Sequence, residues 1–327
     1  APSFTFMLLI LTNSLDGTTD EIVRRIGSDK VFRFNVDLWR DYVFRVDQHG
    51  FRLTDPTGRR CDSHEVRAAY VRKPSFDDPL SIPEGGCPEA WLRAQVSYLV
   101  QELYNWCQRH GLARLVEKGA QARFGKFSQM WTASHFFSVP SWRFTRGTQL
   151  ESDGHAQIVK PLTADFVGDY KLLFTTRAVP GDLDPAFPWL FQQEVDASHD
   201  VTVVYVCGQC FAFGLDRSTF SGVDWRKHIN RKELTWQPWH LSDAERAAIR
   251  AFMHEARLDF GRLDFLACGD ELQFLEVNPN GQWAWLDEDG QQGIFDAVIS
   301  VLTDGWVTHP TPKHNAHRNI QTQRQGI

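Results

Sequence analysis

A chain of 327 residues with 42% hydrophobic and 23% charged residues has the composition of an ordinary globular protein, long enough for two or three domains. Its net charge of −6 argues against nucleic acid or an anionic membrane as the main partner. The six cysteines show no disulfide rhythm, which fits a reducing cytoplasm.

The first apolar run, residues 4–11, is too short to span a membrane. It lacks the basic flank and cleavage-type ending of a signal peptide, so it reads as a buried strand. After a turn-rich break, Thr18-Thr-Asp-Glu21 has the pattern of a capping box, and Ile22, Val23 and Ile26 give the helix that follows one apolar face. Strand-like pieces recur at 31–35, 41–46 and 69–71, and this alternation implies a small α/β layer domain. A loop at 76–87 leads into a long amphipathic helix from Glu89 to Arg109, with Gly111 as its stop signal. Residues 1–111 are therefore expected to form the first domain.

A central lobe is expected over residues 112–190. It contains a helical pattern at 127–137 that stops before Val139-Pro140, a strand at 158–162 halted by proline, and a strand at 171–176. Between those strands, 163–170 has no clear period. A third lobe is expected over 191–307, with strands at 189–195, 201–207, 210–216, 262–267 and 272–277. Ser242-Asp-Ala-Glu245 is a second capping box, the stripe Ala248, Ile249, Phe252, Met253 and Ala256 is core, and 294–302 is a closing helix. Residues 308–327 have almost no apolar side chains and read as a disordered tail. Cys207-Gly-Gln-Cys210 has no second ligand pair for zinc and reads as a hairpin turning at Gly208-Gln209.

Chemistry concentrates in the last strand pair. Glu276 and Asn278 lie two apart and point to one face of their strand. Asp264 joins them only if the hairpin register is even: a three-residue loop gives this, whereas a two-residue turn at Gly269-Asp270 puts Asp264 on the other face. The turn residues favour two and the chemistry favours three; the expectation adopted is three. Two carboxylates and an amide oxygen, with room for waters and phosphate oxygens, suit Mg2+. A Walker loop is absent, because position 120 is Ala and Lys126 is followed by Phe. There is no Gly-x-Gly-x-x-Gly either, so any nucleotide is held another way.

Arg262-x-Asp264 followed by Phe274-Leu-Glu-Val-Asn-Pro-Asn-Gly281 resembles the magnesium strand pair of ATP-grasp ligases. The longer ending Asn278-Pro-Asn-Gly-Gln-Trp-Ala-Trp-Leu286 resembles that of the graspetide (microviridin-type) synthetases, which close ester or amide macrocycles in ribosomally made peptides. The resemblance runs from residue 4 to about 303. It implies an α/β (α+β) ATP-grasp fold behind a pre-ATP-grasp α/β domain, whose last strand ends at Val71-Arg-Lys-Pro74. ATP and Mg2+ are the implied cofactors, with Asp264, Glu276 and Asn278 on the metal and Lys126 and Lys160 on the phosphates.

In the implied hinge, Phe191-Gln-Gln-Glu-Val195, Gln193 replaces a usual Glu, so either Gln193 or Glu194 reads adenine beside the Val195 backbone. Asp200, seven residues after Gln193, holds the ribose. Arg262, and Arg226 of the tripeptide Asp224-Trp-Arg226, take the transferring phosphoryl group. Residues 163–170 become a mobile loop over the nucleotide. The implied partner is a precursor peptide with leader and core, with neither nucleic acid nor membrane, and a homodimer is left open. The rival readings are a ligase of free amino acids and a non-catalytic peptide- or nucleotide-binding protein.

Overall fold

The computed structural model describes residues 6–76, 88–115, 124–146, 156–162, 166–167, 171–172, 175–178, 183, 186–228 and 234–304. The expected tail, most of the 76–87 loop and all but Phe166–Val167 of the expected loop over the nucleotide lie outside these residues.

The N-terminal half starts with β1 (Met7–Thr12), α1 (Gly17–Ile26), β2 (Val31–Asn35), β3 (Val43–Asp47), β4 (Gly50–Thr54), β5 (Arg60–Asp62), β6 (Val66–Val71) and α2 (Pro88–Arg109). Strands β2, β1 and β6 form a parallel sheet in that order, while β3, β4 and β5 form a small antiparallel one. β4 and β5 were not anticipated. The central strand β1 is buried throughout, as a parallel strand covered on both faces must be. Its alternation divides two cores: Leu8 and Ile10 face one cluster, and Met7, Leu9 and Leu11 face the other with Val96, Val100 and Leu103 of α2. The capping box at α1 does not form. The helix begins at Gly17, and the carboxylate of its N-cap Asp16 accepts instead from the hydroxyls of Thr12 (3.0 Å) and Thr19 (2.6 Å).

The middle of the chain supplies α3 (Lys126–Ala133), β7 (Trp142–Arg146), β8 (Gln157–Lys160), β9 (Phe166–Val167), β10 (Lys171–Leu172), β11 (Thr176–Arg177) and β12 (Pro188–Gln193). Strands β11, β8, β12 and β7 pair antiparallel in that order, with β9 and β10 a separate two-strand ladder.

The C-terminal part comprises β13 (His199–Val206), β14 (Gln209–Asp216), β15 (Gln237–Pro238), α4 (Asp243–Glu255), β16 (Phe260–Cys268), β17 (Glu271–Asn278) and α5 (Ile294–Thr303). Its antiparallel sheet runs β15-β14-β13-β16-β17. Val201, Val203, Leu263, Phe265 and Phe274 turn to one face, against Ile249, Phe252 and Met253 of α4. On the other face Val204 and Val206 pack with α5, which also meets Leu8 and Ile10 of the parallel sheet. α5 thus joins two sheets into one core, and the remaining even-numbered positions of β13 and β16 are free to line a cleft. The α4 capping box is present, with the Glu245 amide donating to Ser242 Oγ (3.2 Å) and the Ser242 amide to Glu245 Oε2 (2.7 Å). The hairpin between β13 and β14 turns at Cys207-Gly208, one residue earlier than expected, with φ of +44° and +94°.

Candidate active site

The hairpin loop expected to hold three residues holds two. Cys268 pairs with Glu271 across Gly269-Asp270, and Gly269 (φ +61°) supplies the left-handed conformation such a turn needs. The phase is corrected further along. From Phe265 opposite Phe274 the ladder passes to Asp264 opposite Glu276, leaving Leu275 as an extra residue in a β-bulge. Phe274 therefore keeps its place in the core while Glu276 turns to the cleft. Asp264 faces Glu276 and Arg262 faces Asn278, so all four share one face.

Each of these groups is held. Thr202, opposite Asp264 on β13, donates its hydroxyl to Asp264 Oδ1 (2.8 Å). Arg262 bridges Asp264 Oδ2 (3.1 Å) and the Gln282 carbonyl (3.0 Å). The chain can cross over Arg262 only because position 281 is glycine: a Cβ there would meet the Arg262 Cβ at 2.8 Å. Lys126, the first residue of α3, donates to Glu276 Oε2 at 2.9 Å. Gln129, one turn on, fastens that helix to the strand by accepting from the Val277 amide at 3.1 Å.

The four-stranded sheet forms the opposing wall. Lys160 ends β8 and faces the acidic pair. Burial, partly opposed by the charge of Glu276, pushes its ammonium down to about 8. Glu276 loses solvation too, but the ammonium groups of Lys126 and Lys160 outweigh this and hold its carboxyl below the ordinary range. Beyond β12, Glu194 is tied to Arg177 (2.7 Å). Asp200 pairs with Arg217 at 2.7 Å, yet burial, only partly offset by that arginine, raises it to about 6. Arg226 forms a two-pronged pair with Asp224 at 2.6 and 2.8 Å.

One cleft is lined by Lys126, Lys160, Gln193, Glu194, Val195, Asp200, Arg226, Arg262, Asp264 and Glu276. Asn278 does not line it: the residue sits on the same face, but its Oδ1 accepts from the Asn280 amide at 3.3 Å and closes the turn after β17. Of the three expected oxygen donors, Asp264 and Glu276 line the cleft and Asn278 does not.

Several cleft residues had not been anticipated. Thr202 and Arg217 are legible only once the strand partners are known. Gln192 is buried and lines the cleft, with neither amide atom partnered among the described residues. Adjacency to Gln193 was its only signal. Trp225, Trp236 and Trp285 form an aromatic wall, with ring centroids 5.5 to 6.2 Å apart.

The donor set fits Mg2+ bound through a polyanion. Among the described residues no three His, Cys, Asp or Glu side chains gather in a metal-binding group. Two opposed carboxylates are what Mg2+ requires when waters and phosphate oxygens complete its octahedron. The surrounding ammonium and guanidinium groups suit a phosphate chain, and the unpartnered Gln192 amide offers a donor and an acceptor to a heterocycle edge.

No protein-family model matches the chain, and no curated protein sequence matches it. Solved structures are similar over nearly the full length. The macrocyclase MdnC of Microcystis aeruginosa MRC, bound with precursor peptide MdnA, is 21% identical with a TM-score of 0.74, covering 91% of this chain and 100% of that one. A RiPP-associated ATP-grasp ligase of Chryseobacterium gregarium, in complex with ADP and a leader and core peptide, is 20% identical with a TM-score of 0.76, covering 91% and 97%. The D-alanine–D-alanine ligase of Bacillus anthracis, complexed with ATP, reaches a TM-score of 0.51 at 9% identity, covering 91% and 96%. The chain has the ATP-grasp fold.

Proposed function

We propose that this ATP-grasp chain is an ATP- and Mg2+-dependent ligase that closes macrocycles in a ribosomally made precursor peptide. It activates Asp or Glu side chains of the peptide as acyl phosphates and joins them to Ser/Thr hydroxyls (ester) or Lys amines (amide). The observation that carries this reading is the cleft in which Asp264 and Glu276, opposed on paired strands, meet Lys126 from the adjoining helix α3 and Lys160 from the facing sheet. Similarity to ligases crystallised with precursor peptides supports the peptide as substrate.

Asp264 and Glu276 would hold Mg2+, with Asn278 able to join them by giving up its turn hydrogen bond. A bound Mg2+ supplies charge neutralisation at the β- and γ-phosphates. Lys126 and Lys160 orient the phosphate chain as compact point charges. The hinge reads adenine through the Val195 backbone and an amide. Glu194 is engaged by Arg177, so Gln193 and the unpartnered Gln192 are the better placed side chains. Asp200 accepts from the ribose.

The peptide carboxylate attacks the γ-phosphorus in line as the bond to the β–γ bridging oxygen breaks and ADP leaves. Arg262 and Arg226 stabilise the phosphoryl oxygens during transfer. A hydroxyl or amine of the same peptide then attacks the acyl carbon. Phosphate departs, and the nucleophile's proton is released. No enzyme nucleophile is required; the protein positions the partners and keeps water from the acyl phosphate.

The test is incubation with Mg-ATP and the peptide encoded beside the gene, followed by mass spectrometry. Each ring removes one water, about 18 Da, and the Asp264→Asn and Glu276→Gln variants leave the peptide unchanged. A peptide of unchanged mass, with ATP converted to ADP and phosphate only when free amino acids are supplied, would make the protein a small-molecule ligase.

A further inference from the structure

The Arg72-Lys73-Pro74 turn after β6 plays no part in the chemistry above, yet it borders a second cleft. This cleft lies between the start of α1 and the segment after β17, lined by Asn13, Asp16, Thr18, Lys73, Gln282 and Trp285. Trp285 lines the ATP cleft as well, so the two spaces share a wall. Lys73 adopts a left-handed conformation (φ +46°) immediately before a proline, where a bulky residue is doubly disfavoured. Its carbonyl accepts from Asn13 Nδ2 at 2.9 Å, but among the described residues its ammonium has no hydrogen bond or ion pair. Burial, and then the charge of Arg72, push that ammonium down to about 8, with the charge of Asp16 opposing them only in part.

Asp16, the acid whose charge favours this cation, is already committed. Asp16 accepts from two threonine hydroxyls and lies 3.6 Å from the fully buried Arg72 guanidinium. The field of Arg262 also reaches Lys73. The cleft therefore shares a wall with the ATP cleft and carries one ammonium that, among the described residues, has no hydrogen-bond or ion-pair partner.

We propose that this second cleft is a carboxylate subsite for the peptide, in which the Lys73 ammonium binds an Asp or Glu other than the one being activated. The proposal rests on the peptide-ligase reading, because that reading supplies an acid-rich chain leaving the ATP cleft past Trp285. A second acid held here fixes which acid reaches the γ-phosphate and in what order rings close.

The test uses the wild-type protein with two synthetic, terminally blocked peptides. One contains Thr, Lys, Asp and Glu; its twin has Asn and Gln in place of the acids. Acetylation of Lys73 by an N-hydroxysuccinimide ester is followed by mass spectrometry of the digested protein, with the exposed Lys30 as internal control. The acidic peptide should slow labelling of Lys73 about tenfold, as a charge-assisted hydrogen bond would, and leave Lys30 unaffected. The amide twin should protect neither. Equal labelling of Lys73 with the two peptides overturns the proposal. The readout needs no turnover, so a protein that forms no ADP with any peptide but still shows acid-dependent protection loses the ligase reading and keeps the subsite. With an active peptide, Lys73→Met should raise KM for the peptide and leave KM for ATP unchanged; an unaltered peptide KM counts against the subsite.

Discussion

Lys160 is where one proton has the largest expected consequence. Its neighbourhood removes water, which disfavours the charged form, while Glu276 favours it and Lys126 opposes it again. The net result lies near 8, below the ordinary lysine range. The sign follows directly: below about 8 the free protein presents an ammonium to the cleft, and above it a neutral amine. kcat/KM for ATP reports the free enzyme, so it should fall as pH rises through that value. Lys160→Arg provides the check, because a guanidinium does not titrate in this range. That variant should lose activity overall from altered geometry but show no alkaline fall between about pH 7 and 9. An alkaline limb that persists unchanged in the variant would assign the titration to another group. Glu276, held low by the two lysines, stays ionised throughout this window.

At the scale of elements, the β17 bulge reconciles two demands that a regular ladder cannot meet together. The two-residue turn puts Phe274 opposite Phe265 in the core, and without an extra residue Glu276 would then face α4. Deleting Leu275 removes the bulge yet leaves Asp264 opposite Glu276 and Phe274 opposite Phe265. Deleting Leu272 forces Phe274 onto the cleft side. The first deletion should therefore fold with a modest loss of thermal stability, while the second loses the packing of a buried phenylalanine, about 3–5 kcal/mol. Equal melting temperatures for the two deletions would mean that the bulge does not set the register. The same comparison shows what was readable beforehand. β1, α2 and the β13–β14 and β16–β17 pairs have strong apolar patterns and emerge from sequence with ends displaced by a few residues. The bulge does not, because it is decided by where Phe274 packs, which no local pattern states. Nor do β4 and β5: β5 is only three residues long, and β4, though largely buried, is fixed by its pairing with both β3 and β5. Ten of the eleven anticipated site residues line the cleft; spacing alone pointed to the acidic strand pair, and the family resemblance implied the lysines, the hinge, Asp200 and the arginines, while Asn278 lies outside the lining with its Oδ1 accepting from the Asn280 amide.

Over the whole molecule, the N-terminal sheet and the site hairpin are linked by a buried arginine. Arg72 leaves the end of β6 fully buried. It donates to Asn280 Oδ1 (3.0 Å), the Gly281 carbonyl (3.2 Å), Gln282 Oε1 (2.6 Å) and Thr18 Oγ1 (3.3 Å). The Gln282 carbonyl in turn accepts from Arg262, so the guanidinium proposed to meet the phosphoryl group is steadied at one remove by the N-terminal sheet. Arg72 also stands beside Asp16, whose side chain is only 5% exposed. Arg72→Met keeps much of the aliphatic volume but leaves Asp16 buried without its counter-charge and three acceptors of the 280–282 segment without their donor. Breaking a buried pair from one side typically costs about 3–5 kcal/mol. Because α5 packs against both sheets, that cost should appear in a single urea transition whose midpoint falls while its slope is unchanged. Two separated transitions would show that the N-terminal sheet unfolds independently, and a midpoint within experimental error of wild type would show that the arginine does not couple the sheet to the hairpin.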